Sequence, residues 1–358
     1  MKRGWVSGLL VCGVLVATAA PAAAGDPGRY EDRASWPRWA ATYFRENSIT
    51  PIDGELVDAI RFELIRGYPV EAQDYMGYED RAFAPEQPMT RAEFAAVLSR
   101  SQGLASEDGA GAEWFMPYVE ALRAEGIIPA DASEAWGEAI SRREAGQWMG
   151  RAAEAFGADD RETEMVFADV DDALVLRALR AGIVKGTGEG RFEPDRALLR
   201  VEAAVMLVRL ARARNAEGNA QDAEVIETLK GIVLEADRQG TEEGKRWVEQ
   251  GFLDPVNPGE VLTREFADFL DFTARDNLEV RGTEPTAWSV RPVTSYRFEV
   301  LEVHDTAAVL LVCGDELYYR VTDTEGSPWF QQGFCERQYL VRIHQQWRIS
   351  AFASPAIP

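Results

Sequence analysis

One local pattern occurs three times in this chain, and a fold must accommodate the repetition before anything else. The clearest copy runs Phe167-Ala168-Asp169-Val170, then a helix-like stretch through Leu174, Ala178 and Leu179, then Gly182-Ile183-Val184-Lys185-Gly186-Thr187-Gly188-Glu189-Gly190-Arg191-Phe192-Glu193-Pro194. It closes with Leu199-Arg200-Val201-Glu202-Ala203-Ala204, the opening of a second helix. The first copy ends the same way: Arg66-Gly67-Tyr68-Pro69, a longer insert, Phe83-Ala84-Pro85, then Thr90-Arg91-Ala92-Glu93-Phe94. The second is worn. It keeps Trp114, Tyr118, Leu122 and Gly126-Ile127-Ile128, lacks the glycine cluster, and ends Ser141-Arg142-Arg143-Glu144.

The periodicity is helical. Phe94, Val97 and Leu98 share one face, as do Val205, Leu207, Val208 and Leu210 on a broader stripe. Thr90 with Glu93, and Ser141 with Glu144, match the capping box, in which the hydroxyl accepts from the N3 amide and the carboxylate reaches back to the cap amide. The third copy has Leu199 at the cap, so Glu202 keeps only half of that arrangement. Asp169 reads first as the N-terminal cap of the helix that follows it, and otherwise as a residue of a groove between copies.

A Phe-x-Asp-Val start, a helix, Gly-Ile, a glycine-bearing loop with Phe-x-Pro, and Thr-Arg-x-Glu together resemble the S-layer homology repeat, over about residues 36 to 214. The resemblance implies an all-α, pseudo-threefold array of three helix-loop-helix repeats whose grooves bind cell-wall polysaccharide, often a pyruvylated secondary polymer. It also implies that the arginine of each Thr-Arg-x-Glu is the anion contact: Arg91, Arg142 and Arg200. A guanidinium at a helix start presents a planar fork to a carboxylate, and the unpaired amides of that helix end add to the attraction. Lys185 and the glycines Gly67, Gly186, Gly188 and Gly190 match the family's loop, where a missing side chain lets backbone approach a sugar. Glu93, Glu144 and Glu202 are expected to hold helix starts. Trp114 and Trp136 are expected in the core rather than against a sugar.

The N-terminus has Lys2 and Arg3, an apolar run from Trp5 through Val16, and Ala22-Ala23-Ala24, the order of a secretory signal peptide cut after Ala24. Cys12 lies within the apolar run behind the branched Val11, which does not suit a lipobox. No later segment has the length and apolarity of a membrane span. Acidic residues outnumber basic ones 60 to 38, a balance that repels nucleic-acid phosphates. Cys313 and Cys335 then remain in an exported chain, where a disulfide is the natural reading and two buried thiols the alternative.

After Asn215 the pattern changes. Gln221 to Arg238 reads as a helix, Leu262 to Phe272 as another, and the β-branched runs Tyr296–Val303, Ala307–Cys313, Glu316–Val321, Gln338–Ile343 and Trp347–Phe352 as short antiparallel strands, with Cys313-Gly314-Asp315 as a turn. Helices followed by a curved sheet are similar to the NTF2-like α+β cone, in which Tyr296, Tyr318, Trp329, His304 and His344 would line a pocket or form core. The expected organisation is therefore a signal peptide (1–24), a linker (25–35), repeats at 36–104, 105–160 and 161–214, and a C-terminal α+β domain (215–358).

Catalysis has little sequence support. His304 and His344 have no metal-ligand spacing, and no nucleophile elbow, zinc-protease helix or nucleotide loop is present. The expected function is non-covalent anchoring to the cell envelope through a wall polysaccharide or a peptidoglycan-linked polymer, without catalytic residue, metal or cofactor. The alternatives are an exported enzyme or small-molecule binder tethered by the repeats, and a protein interaction platform.

Overall fold

A computed structural model describes residues 54–65, 67–73, 79–104, 111–132, 134–158, 160, 167–214, 222–250, 259–264, 266–267, 270, 287–320, 328, 330–343 and 345–353. The expected signal peptide, its cleavage site, Cys12, Trp329 and His344 lie outside them.

Three helix pairs come first. They are α1 (Gly54–Arg61) with α2 (Arg91–Ser101), α3 (Met116–Ala124) with α4 (Arg142–Ala155), and α5 (Ala173–Arg180) with α6 (Arg200–Ala213). The insert of the first copy is an antiparallel hairpin, β1 (Tyr68–Gln73) and β2 (Glu79–Ala82). Packing runs in a ring: α2 lies on α3, α4 on α5, and α6 returns to α1. Two glycines allow the close approach of α4 and α5. A Cβ on Gly150 would stand 2.1 Å from the Leu174 carbonyl oxygen, and one on Gly146 would meet Val175 and the Phe192 ring at 3.1 Å.

The segments leading into α2, α4 and α6 are tied in the same rotary sense. The Met89 amide donates to the Leu198 carbonyl (3.0 Å), Leu198 to Ile140 (2.9 Å), and Ile140 back to Met89 (2.9 Å). Each of the three is fully buried. This satisfies backbone groups that would be costly to bury unpaired, and it places three large apolar side chains at the centre of the helical region.

The C-terminal region is α+β. The long helix α7 (Ala223–Gln250) extends well past the expected end at Arg238. It is followed by β3 (Ala287–Val290), β4 (Arg297–Val303), β5 (Ala307–Arg320), β6 (Phe330–Ile343) and β7 (Gln346–Ala353). All pairings are antiparallel: β5 is flanked on one side by β3 and β4 at different points of its length, on the other by β6, and β6 carries β7.

The expected turn at Cys313-Gly314-Asp315 is corrected by the structure, because β5 runs through it without a break and Cys313 stands opposite Cys335 in β6. Gly314 is there for space. A Cβ at that position would fall 2.9 Å from the Phe334 ring, which covers it from the facing strand. Cys313 and Cys335, directly opposite each other in the register, form a disulfide with Cα atoms 4.1 Å apart.

Alternation gives the sheet two covered faces. Ala307, Val309, Tyr339, Val341, Ala351 and Ala353 join the core of the helical repeats. Ala308, Leu310, Val312, Leu340 and Ile349 pack with Leu229, Val233 and Ala236 of α7. The two regions thus share apolar core, and polar pairs reinforce the seam. Arg61 donates to the Tyr339 hydroxyl at 2.9 Å, Arg212 bridges Asp58 (2.6 Å) and Glu302 (2.9 Å), and Arg214 meets Asp305 at 3.2 Å.

Candidate functional site

Each second helix of a repeat begins with the expected chemistry. The Thr90 hydroxyl accepts from the Glu93 amide, and the Glu93 carboxylate accepts from the Thr90 amide at 2.8 Å, a complete capping box. Ser141 accepts from the Glu144 amide at 3.2 Å, but the Glu144 carboxylate turns away, toward Arg91. At the third helix Glu202 accepts from the Leu199 amide at 2.9 Å, the half that a leucine cap leaves available. Asp169, expected as a helix cap, instead accepts from the Phe192 and Glu193 amides at 2.8 and 2.9 Å. Those amide bonds, from Phe192 first, hold its carboxyl below the usual carboxylate range. Asp172 caps α5, accepting from the Leu174 and Val175 amides. The Phe-x-Pro loop offered Asp169 unpaired amides of its own, and sequence spacing did not reveal them.

The three arginines come to equivalent places, each reaching from its own helix start to the next copy. The Arg91 amide donates to the Glu138 carbonyl, Arg142 to Arg196, and Arg200 to Gln87. Their side chains follow. Arg91 Nε donates to the Glu144 carboxylate at 2.9 Å. Arg142 donates to the Glu202 carboxylate at 2.6 Å, to the Phe192 carbonyl at 2.7 Å and to the Lys185 carbonyl at 3.2 Å, with its guanidinium 4.7 Å from the Phe192 ring centre. Arg200 lies over Tyr68 at 4.0 Å and Phe83 at 5.5 Å, within the field of Glu93. Burial lowers the pKa of Arg142 and Arg200 from the ordinary arginine value, with Glu202 opposing it at the first and Tyr68 and Glu93 at the second. Burial also pushes the Tyr68 hydroxyl up to about 12.

The expected open setting is found only in part. The Arg91 side chain is 15% exposed, whereas Arg142 and Arg200 are 2% and 3% exposed and enclosed by aromatic rings. A guanidinium facing an adjoining repeat finds a carboxylate and an aromatic plane there, and both compete with solvent for it.

Lys185 is exposed at the start of the glycine loop, and its backbone carbonyl rests on Arg142. Gly188, Glu189 and Gly190 turn the loop with positive φ of 129°, 50° and 71°. Gly186 leaves room for the loop's own return: a Cβ there would come 2.7 Å from the Arg191 carbonyl oxygen and 3.3 Å from the Phe167 ring. Gly67 is buried. Trp136 is buried and Trp114 half-buried, each in contact with Phe115.

What sequence reasoning missed is the partner of each arginine and the Met89, Ile140 and Leu198 knot. The signal for the knot was an apolar residue one place before each cap. His304 lies at the seam, 3.2 Å from Glu302. Among the described residues no group of three or more His, Cys, Asp or Glu side chains could hold a metal ion. No helix among them is long and apolar enough to cross a membrane.

The fold and these helix starts define a class, a helical repeat region with an α+β region packed on it. The S-layer homology domain model matches residues 76–95 and 175–204, the ends of the first and third copies. The chain carries S-layer homology sequence in these two stretches. No curated protein matches it. Domains of this family generally anchor proteins to cell-wall polymers.

Proposed function

We propose that the repeats form a pseudo-threefold array that anchors the exported chain to an acidic cell-wall polysaccharide and holds the C-terminal domain at the cell surface. The observation that carries this reading is the cyclic tie between copies: the same amide-to-carbonyl bonds link the three helix starts in one rotary sense. Three junctions built alike offer a polymer a repeated surface. A pyruvylated secondary polymer suits it, since a chain this acidic needs local cations to hold an anion.

In this reading ligand contact falls on the rim. Lys185 supplies the exposed charge, the Gly186–Gly190 loop its backbone, and Arg91 the most accessible of the three guanidiniums. Arg142 and Arg200 act beneath it, Arg142 by holding the Lys185 carbonyl. The protein is then a binding protein, not an enzyme. One observation favours a second reading as a protein interaction platform: two of the three arginines expected on the glycan are enclosed.

The test is co-sedimentation of the full chain with purified sacculi, before and after hydrofluoric acid removes phosphodiester-linked secondary polymer. Binding to intact sacculi and loss on stripping support the polysaccharide reading. Equal binding to both overturns it, and no binding to either favours the platform.

A further inference from the structure

The C-terminal sheet carries a second cluster of charge that anchoring does not use. By alternation, Glu316 of β5 and Glu336 of β6 share the sheet face of Leu310, Val312 and Leu340, the one that packs against α7. Asp237 of α7 and Arg291 after β3 meet them there, and all four residues are buried. Arg291 lies 3.9 Å above the Phe334 ring and donates to Glu336 at 2.8 Å, with Asp237 at 3.4 Å and Glu316 at 3.9 Å. Neutral groups complete the surroundings. Tyr296 hydrogen-bonds Asp237, Tyr318 donates to one Glu316 oxygen at 2.8 Å, Gln332 donates to the Tyr318 hydroxyl at 2.7 Å, and Gln338 donates to Glu336 at 2.6 Å.

Three carboxylates face one guanidinium, so the fully ionised cluster has a formal excess of two negative charges in a place where unpaired charge is costly. The guanidinium does not serve all three equally. Its terminal nitrogens donate to Glu336 and Asp237, whereas Nε stops 3.9 Å from Glu316 Oε1, too far for a hydrogen bond. Neither of those two atoms has a hydrogen-bond partner, and their residues are 6% and 0% exposed. Buried polar groups are normally paired, and a buried carboxylate whose charge is not compensated neutralises by binding a proton. A proton answers the excess charge and requires no cavity.

We infer that this cluster is a buried proton-binding site, which holds one proton among its three carboxyls at neutral pH and so fastens α7 to the sheet. Interacting carboxyls titrate together, and the proton belongs to the cluster rather than to one oxygen. Burial raises the Glu336 carboxyl above the ordinary 4.5; Arg291 opposes the rise, and the Asp237 and Glu316 charges add to it. Burial, followed by the Glu316 charge, raises the Tyr318 pKa well above the ordinary tyrosine value, so it stays a neutral donor. A carboxyl raised in the folded state contributes stability that is fully present below the unfolded value and lost as pH rises through the folded one. Alkali therefore takes the proton, sets Asp237 of α7 against two ionised strand carboxylates, and loosens the helix.

The test uses the full disulfide-bonded chain and infrared spectroscopy, which separates the carbonyl stretch of a neutral carboxylic acid from that of a carboxylate. The neutral-acid band is expected at neutral pH, where ordinary surface carboxyls are ionised, and should vanish on alkaline titration. Its absence from the unaltered chain at neutral pH overturns the site, a result that needs no variant to fold. Glu316→Gln and Glu336→Gln each remove one charge and imitate the protonated carboxyl, so each should lose most of the band. A band undiminished in both folded variants places the proton elsewhere and overturns the assignment as well. Hydrogen exchange then tests the helix: at one alkaline pH, α7 amides of the unaltered chain should exchange about tenfold faster than those of Glu316→Gln. Equal exchange in the two chains would contradict the fastening of α7.

Discussion

Arg142 of the second repeat and Glu202 of the third are joined at 2.6 Å, and the arginine side of that pair is almost wholly removed from water. The same step along the ring joins Arg91 to Glu144 at 2.9 Å, but there both side chains keep some access to solvent. A motif that looks like ligand chemistry in a single repeat therefore joins one repeat to the next once three are folded together.

Removing Arg142 leaves the Glu202 carboxylate to Arg196, but it takes the donor from the Phe192 and Lys185 carbonyls. Arg142→Met is expected to destabilise the chain by about 2 to 4 kcal/mol in urea unfolding. Arg91→Met should cost only about 1 kcal/mol, because its pair is partly solvated. Equal losses at the two sites would show that the difference in burial has no energetic consequence.

Two helical glycines should respond in opposite directions. Gly150→Ala puts a methyl 2.1 Å from the Leu174 carbonyl oxygen, a backbone atom that cannot rotate away, and is expected to cost about 2 kcal/mol or more. Gly231→Ala, on the exposed face of α7, meets nothing within 4 Å and should stabilise by about 0.5 to 1 kcal/mol. Thermal melts of the two variants decide both.

Acid should loosen the seam between repeats and sheet. Burial alone would raise the Glu302 carboxyl, but hydrogen bonds from His304 and Arg212 and the Arg212 charge outweigh it and hold the pKa at about 2, against an ordinary 4.5. A carboxylate depressed in the folded state contributes stability that is present above the unfolded value and lost as pH falls through the folded one. The stability gap between the unaltered chain and Glu302→Gln should be full at neutral pH and close between about pH 4.5 and 2. A gap that does not change with pH would show that the Arg212 bridge contributes nothing to this acid response.

Much of this architecture was legible because it is written locally. Thr90, Ser141 and Glu202 mark helix starts by their own spacing, and the switch to β-branched alternation after residue 288 marks a sheet. The turn expected at Gly314 failed because a glycine required by the Phe334 ring looks, in one strand read alone, like a glycine required by a bend. The arginines were located at the correct helix starts. Their surroundings depend on which copy faces which, and that is fixed by ring closure through Met89, Ile140 and Leu198, a long-range relation that no window of sequence contains. The cap fell to Asp172 rather than Asp169 for a similar reason, since both can cap and only the folded loop shows which amides each one meets.

The cross-strand disulfide closes a separation of 22 residues, and its loss should cost about 3 kcal/mol by the chain-entropy estimate. Reduction should add two hydrogens in intact mass and lower the unfolding midpoint. Identical masses with and without reductant, under conditions that prevent scrambling, would remove the bond.

The anchoring account is tested most directly by a variant that keeps the ring intact and alters only its rim. Lys185→Glu reverses an exposed charge without disturbing the backbone carbonyl that Arg142 holds. Sedimentation with intact sacculi should fall by about tenfold, with the melting temperature unchanged, as expected when a solvated ion contact to a polyanion is replaced by repulsion. Undiminished sedimentation of a normally folded Lys185→Glu chain would contradict the account.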